Sequence, residues 1–343
     1  MTHGGRGPVS GLRCVDVCAG AGGLALGLEQ AGFAPVLLLD KNPVACATLR
    51  ENRPAWHVLE ADLLDFSPSR YQEIYDVDLL SAGPPRVRSG ATVARTGAET
   101  ELRLLEATVY LAHAVQPRAL VVENVPGLVN TPGLASIREL IGDELSHLGY
   151  RFRWFLLNAA DFGVPQSRRQ GMLVALKERY FDAFRAPEPT VREYVSVGRA
   201  LRRSMAMGGW RDADRWAAQA LAVAPTLVGG SDRRGGPDLG PTGTRKAWAR
   251  MGVDGSSVAD SVPGADFVWA PETGQHGMVR ITTDQAALLQ GFPPEWKFAG
   301  RKTARYRQIG HASPPPVAKA LGLAIRAALD SPVTPVPRYT PAP

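Results

Sequence analysis

At 343 residues, with 45% hydrophobic and 21% charged side chains, the chain can bury a full core, and its length suggests about two domains. Thirty-nine Lys and Arg against 33 Asp and Glu leave a formal charge of +6, which suits a polyanionic partner without identifying one. No apolar run approaches the roughly 20 residues of a membrane span, and the Gly-rich start lacks a signal core, so a cytoplasmic protein with no membrane partner is expected.

Apolar strand-like runs alternate with helix-like segments over the first 180 residues. Strands are predicted at Leu12–Val17, Pro35–Asp40, Val77–Ala82, Ala119–Glu123 and Met172–Leu176. Between them, Leu24–Ala31, Pro43–Asn52, Glu99–Ala114 and Leu134–Leu148 read as helices. Repeated strand-helix-strand units imply an α/β fold, a doubly wound Rossmann-like parallel sheet whose ligands sit at the strands' carboxyl ends. Composition then shifts to Gly, Arg, Trp and Pro, and residues 187–277 read as a smaller, irregular inserted domain. Trp210, Trp216, Trp248 and Trp269 give it a small core, while Gly229–Gly236 must be a loop. Helical patterning resumes near Arg280, so 1–186 plus 278–330 form the larger domain, and the Pro-rich 331–343 is expected to be disordered. Cys14, Cys18 and Cys46 form no CxxC pair and no metal-ligand spacing, so no metal is expected; Cys14 and Cys46 read as reduced core residues.

Asp16 to Leu24 runs from a strand through a Gly-rich turn (Cys18, Ala19, Gly20, Gly22, Gly23) into a helix, letting backbone amides approach a ligand. Asp40, followed by Lys41, ends the next strand and is placed to accept bonds from ribose hydroxyls. Asp62, followed by Leu63, ends a third strand and is placed to bond an adenine amine. Turn, Asp40 and Asp62 together indicate a nucleoside cofactor.

Four further motifs follow: Gly83-Pro84-Pro85; Glu123-Asn124-Val125-Pro126-Gly127 at a strand end; Asn158 to Gln170, containing Gln166-Ser167-Arg168-Arg169-Gln170; and, later, Leu289-Gln290-Gly291-Phe292-Pro293 with Tyr306 to Ala312. With the Gly-rich turn, their order and spacing over Leu12 to Leu323 resemble the cytosine-5 DNA methyltransferase family. The resemblance implies S-adenosylmethionine as cofactor, double-stranded DNA as partner, a target base flipped from the helix, and a small domain that reads sequence. A restriction enzyme or partner subunit is a further expected partner. The resemblance places Gly83, His311 and Ala312 beside the cofactor and Thr226-Leu227 in the recognition region. Arg88, Ser89, Gly229, Gly230, Arg233, Arg234, Arg245 and Lys246 are the remaining DNA-contact candidates; the alternative for the basic cluster is a solvated loop.

The departures from the family pattern bear on mechanism. Where the family carries a cysteine nucleophile this chain has Arg86, and a guanidinium cannot attack carbon. Gln170 replaces an arginine that polarises the cytosine carbonyl, His311 an asparagine, and Cys18 a phenylalanine that packs on adenine. Glu123, which in the family bonds the target ring nitrogen and amine, is kept. Glu123, Arg86, Pro84, Pro85, Arg168 and Gln170 are thus the catalytic candidates. Arg86 is read either as a loop arginine paired with a carboxylate or as a contact to DNA phosphate or Glu123. Three functions compete: methylation of an exocyclic amine of adenine or cytosine without a covalent intermediate, a non-catalytic DNA-binding homologue, and carbon-5 methylation by an atypical route.

Overall fold

A computed structural model describes residues 11–87, 98–229 and 236–332. The alternation is present: β1 (Leu12–Val17), α1 (Gly23–Gln30), β2 (Phe33–Asp40), α2 (Pro43–Asn52), β3 (Val58–Glu60) and β4 (Leu79–Ala82). Next come α3 (Ala98–Val115), β5 (Ala119–Asn124), α4 (Pro126–Asn130), α5 (Ala135–His147), β6 (Tyr150–Asn158), β7 (Gln166–Ser167) and β8 (Arg169–Lys177). After α6 (Glu178–Phe181) follow α7 (Val197–Met205), α8 (Ala213–Ala217), β9 (Ala224–Pro225) and α9 (Thr242–Ala249). The described chain closes with α10 (Thr283–Leu289), α11 (Lys302–His311) and α12 (Pro315–Leu329).

Seven of these strands form one sheet in the order β3-β2-β1-β4-β5-β8-β6, a doubly wound α/β arrangement. β4 and β5 are buried at every position, which is why they read as unbroken apolar runs: helices cover both faces. One face carries Cys14, Leu79, Val121 and Met172 against α1 and α12. The other carries Val15, Leu80, Val122 and Leu173 against α3 and α5.

One strand corrects the expectation of a parallel sheet. β8 runs antiparallel to both β5 and β6. No long helix separates β6 from β8, only a 3-10 turn (Ala159–Phe162) and the short β7, and antiparallel neighbours need no crossover. The reversal matters for the site. β1, β2, β4 and β5 bring their carboxyl ends to one edge, while β8 brings its amino end, Arg169-Gln170, to the same edge.

The tryptophans expected to hold 187–277 together are buried: Trp210, Trp216, Trp248 and Trp269. Their core is not separate. It is one cluster with Leu49 and Trp56 from the first half and Ile281, Phe292, Trp296 and Tyr306 from the last. Of the 331–343 tail, the residues from Val333 lie outside the described ones. No described helix is long and apolar enough to cross a membrane.

Candidate functional site

The chain leaves β1 through a tight turn. Cys18 (φ 53), Gly20 (φ 54) and Gly22 (φ 83) are all left-handed, and α1 starts at Gly23. Cys18 is the unusual one, since a side chain disfavours that region. Asp40 at the end of β2 braces the turn: Oδ2 accepts the Gly20 N–H at 2.7 Å and Oδ1 the Asn42 N–H at 2.8 Å. Ala19 donates its N–H to Leu39 O at 3.0 Å. Burial raises the Asp40 carboxyl above its usual range, opposed by those two amides. Asp62 lies two residues past β3 rather than at its end. Its Oδ1 accepts the Leu64 N–H at 3.1 Å, capping the 3-10 turn that starts at the buried Leu63, and Lys41 Nζ sits 3.4 Å from Oδ2. The amide is the main reason its carboxyl is held low. Both acids therefore shape the backbone before they offer any lone pair to a ligand.

Asp16 lies beneath this turn, 1% exposed. Its Oδ1 accepts the Ser81 hydroxyl at 2.6 Å, while Oδ2 is buried without a partner. Burial pushes the carboxyl to about 7, the Ser81 bond opposes this, and the nearby Asp40 charge adds to it. The folded value is raised above the ordinary 3.8, so the stability Asp16 contributes is full below about pH 4 and lost as pH rises through 7. Asp16→Asn is expected to flatten the fall in Tm between pH 4 and 7. The gap between variant and wild type at pH 8 should reach a few kcal/mol, since each unit is worth about 1.4 kcal/mol. Thermal melts of both proteins across that range check it; a parallel pH profile would show that Asp16 does not titrate.

The second half of the site is built on the loop after β4. Gly83 donates its N–H to Val17 O at 3.3 Å, and a Cβ on Gly83 would lie 4.0 Å from a Glu123 carboxylate oxygen. Asn124, 2% exposed, holds the loop's shape. Its Nδ2 donates to the carbonyls of Pro84 and Pro85, each at 3.3 Å, and its Oδ1 accepts the Val87 N–H at 3.1 Å. Pro85 is exposed, Pro84 buried and Arg86 half-buried. Arg86 turns inward and donates from Nη2 to Gly310 O at 3.3 Å, making no ion pair with a carboxylate among the described residues. Its partner among the described residues is thus a backbone carbonyl.

Arg168 uses the same carbonyl. It is 2% exposed, and its Nη1 donates to Gly310 O at 3.0 Å and to Leu227 O at 3.2 Å. Burial first, and then the Arg86 charge, lower its pKa to about 9, with Glu123 opposing both. Gln170 lies on the sheet face that carries Glu123, because Glu123 is in register with Met172 across β5 and β8. Its Nε2 donates to Ser313 Oγ at 3.0 Å and its Oε1 is buried without a partner.

The recognition candidates join this centre through backbone. Thr226 Oγ1 donates to Ser167 O at 2.7 Å, and Leu227 N–H donates to Gln166 Oε1 at 2.8 Å. Gln166 Nε2 in turn donates to Gln290 Oε1 at 2.7 Å, and Gln290 donates to Ala312 O. Gly229 packs on α11, where a Cβ would lie 2.8 Å from the ring of the exposed His311. Lys246 and Arg250 are exposed on and just after α9, and Arg245 is half-buried there. Arg88, Ser89, Gly230, Arg233 and Arg234 lie outside the described residues.

Sequence reasoning passed over Asn124, Ser81, Ser313 and Gln290. Asn124 was within reach, since it follows Glu123 in the motif and a polar residue ending a buried strand needs partners. Ser81 and Ser313 carry no local signal.

A family model described as C-5 cytosine-specific DNA methylase matches residues 12–327. The Type II methyltransferase M.NaeI of Lentzea aerocolonigenes is 45% identical over 322 residues, 93% of this chain and 76% of that protein. M.NgoMIV of Neisseria gonorrhoeae is 39% identical, over 92% of this chain and 97% of its own. Among solved structures, the S. pombe Dnmt2 methyltransferase superposes with a TM-score of 0.61 at 16% identity, covering 93% of this chain and 99% of that one, a likeness of fold.

Proposed function

Because this chain belongs to the C-5 cytosine-specific DNA methylase family, whose members use S-adenosylmethionine as methyl donor, we propose that it methylates an exocyclic amine of a flipped DNA base rather than carbon 5. That it is a DNA methyltransferase follows from the family; the atom it alkylates is our reading. The observation that carries it is the state of the three thiols. Cys14 and Cys46 are buried in the core, and Cys18 sits within the turn with its thiol pushed up to about 12 by burial and by Asp40. None is a usable nucleophile near neutral pH. Ring carbon 5 is too weak a nucleophile to react without covalent activation, whereas an amine already has a reactive lone pair.

The residues around the turn suit the cofactor. Asp16 Oδ2 is a buried acceptor without a hydrogen-bond partner, which a cationic amino group would supply, and we assign Asp40 to the ribose hydroxyls and Asp62 to the adenine amine. Bound there, S-adenosylmethionine supplies an electrophilic methyl group on a sulfonium. The protein's share is placement. Glu123 beside Gly83 accepts an amine N–H and aligns the nitrogen. Glu123, or water beside it, would take up the proton that the methylated amine sheds. The side chains we assign to DNA are the half-buried Thr226 and Arg245 and the exposed Lys246; Leu227 and Gly229, expected to meet DNA, are buried. We assign the sequence-reading role to 187–277 and a cytoplasmic setting to the protein. By analogy with relatives named Type II methyltransferases, a cognate restriction enzyme is its functional partner.

A second reading has its own support. The Pro84 and Pro85 carbonyls, natural acceptors for an amine, are already engaged by Asn124. This favours a protein that binds DNA and cofactor without transfer. One experiment separates the readings: incubate the full chain with methyl-labelled S-adenosylmethionine and unmethylated plasmid, digest to nucleosides, and identify the labelled species by mass spectrometry. Label in N6-methyladenine or N4-methylcytosine is expected. Label in 5-methylcytosine would overturn the amine reading, and unlabelled DNA despite measured binding of both ligands would select the second.

A further inference from the structure

We propose that Arg86, backed by Arg168, forms an oxyanion site that grips a backbone phosphate of bound DNA. The two guanidinium groups converge on a single acceptor, Gly310 O, at 3.3 and 3.0 Å. Neither forms an ion pair with a carboxylate among the described residues, and Arg168 Nη2 is buried with no partner at all. Glu123 is the acid whose charge reaches Arg168, and the Arg86 charge opposes it there. Proteins rarely leave a pair of like charges in this state, because each repels the other and neither recovers its lost hydration. An anion corrects the imbalance.

The geometry also says which arginine makes the contact. Arg168, at 2% exposure, cannot reach a ligand from outside and acts through its field. Arg86 is half-buried and spends one of its five N–H donors on Gly310, leaving a planar fork for two oxygens. Its loop is held rigid by Asn124, so the fork arrives pre-positioned. Among anions, a phosphodiester matches the fork and recurs at every nucleotide of the DNA that this family acts on. The slot that lacks a nucleophile thus serves as a handle on the strand. The assignment is independent of which atom receives the methyl group.

The test is the salt dependence of binding to a mixed-sequence duplex, with Arg86→Gln and Arg86→Lys compared against the wild type. Losing one phosphate contact lowers the slope of log K against log[salt] by about 0.9. That drop is expected for Arg86→Gln and not for Arg86→Lys. Inorganic phosphate, titrated against chloride at constant ionic strength, should raise the Tm of the wild type and not that of Arg86→Gln. A merely structural arginine would lower the Tm of the glutamine variant and leave its slope unchanged, and that result overturns the proposal. A phosphate-dependent Tm with an unchanged slope would also overturn it, since the site would then take the free ion and not the DNA strand.

Discussion

Replacing Arg86 by cysteine is expected to give a protein that forms a covalent complex with DNA carrying 5-fluorocytosine, where the wild type forms none. The introduced thiol would sit at the end of a loop shaped by Asn124, beside the Arg168 guanidinium, and a neighbouring cation favours the thiolate. Addition of sulfur to the ring followed by methylation leaves a fluorine where a proton would depart, so the adduct persists and resists denaturing electrophoresis. Removing the nucleophile of a covalent mechanism costs on the order of 10^6 in rate, so even a partial return stands far above background. Bisulfite sequencing of ordinary DNA treated with Arg86→Cys reads the same gain at carbon 5. A folded, cofactor-binding variant that forms no adduct would locate a second lesion, and Gln170 is the place to look. Its amide is tied to Ser313 and supplies no positive charge to polarise a carbonyl.

Gly310→Ala should be among the most damaging small substitutions in the site. The new Cβ would lie 2.6 Å from Gly229 Cα and 2.7 Å from the Val228 carbonyl carbon, all backbone that cannot swing aside. Overpacking of this kind costs about 1–3 kcal/mol, a fall in Tm of roughly 1–4 °C for a chain of this size. The damage should not stop at stability. Gly310 O is the acceptor that both arginines share, and Leu227 O is the other partner of Arg168. Pushing Gly229 off α11 therefore pulls the recognition segment away from the base pocket, and DNA affinity should fall by about tenfold or more. Gly133→Ala is the control: a Cβ there meets nothing within 4 Å, and both Tm and DNA affinity should stay near wild type. Equal behaviour of the two variants would mean that the Gly229–Gly310 contact is dispensable.

The elements legible in sequence were those whose signal is local. β1 and α2 have the predicted limits, the first an apolar run and the second opened by Asn42, whose side chain accepts the Val44 N–H, with Pro43 next. β6 was missed because the exposed Arg151 and Arg153 interrupt its apolar pattern, although Tyr150, Phe152 and Trp154 pack on one face of the sheet and Phe155 and Leu157 on the other. The direction of β8 was beyond reach, since a strand's residue pattern does not say which way its neighbour runs. The site divides in the same manner. The turn, Asp40, Glu123 and the Gln166–Gln170 stretch are contiguous motifs. The partner of Arg86 is 224 residues away, and no local pattern announces that a guanidinium will choose a backbone carbonyl over an acid.

The buried tryptophan cluster bears on how such a protein can change its specificity. Because Trp216 and Trp248 pack in one cluster with Phe292 and Tyr306, a segment 187–277 transplanted from a relative brings half of a hydrophobic seam and must meet the other half unchanged. Chimeras that exchange this stretch alone should aggregate or melt early, whereas those that also carry over 278–312 should fold. On the proposed reading of 187–277 as the sequence-reading segment, single substitutions on its exposed rim would disturb this seam less than exchange of the whole stretch.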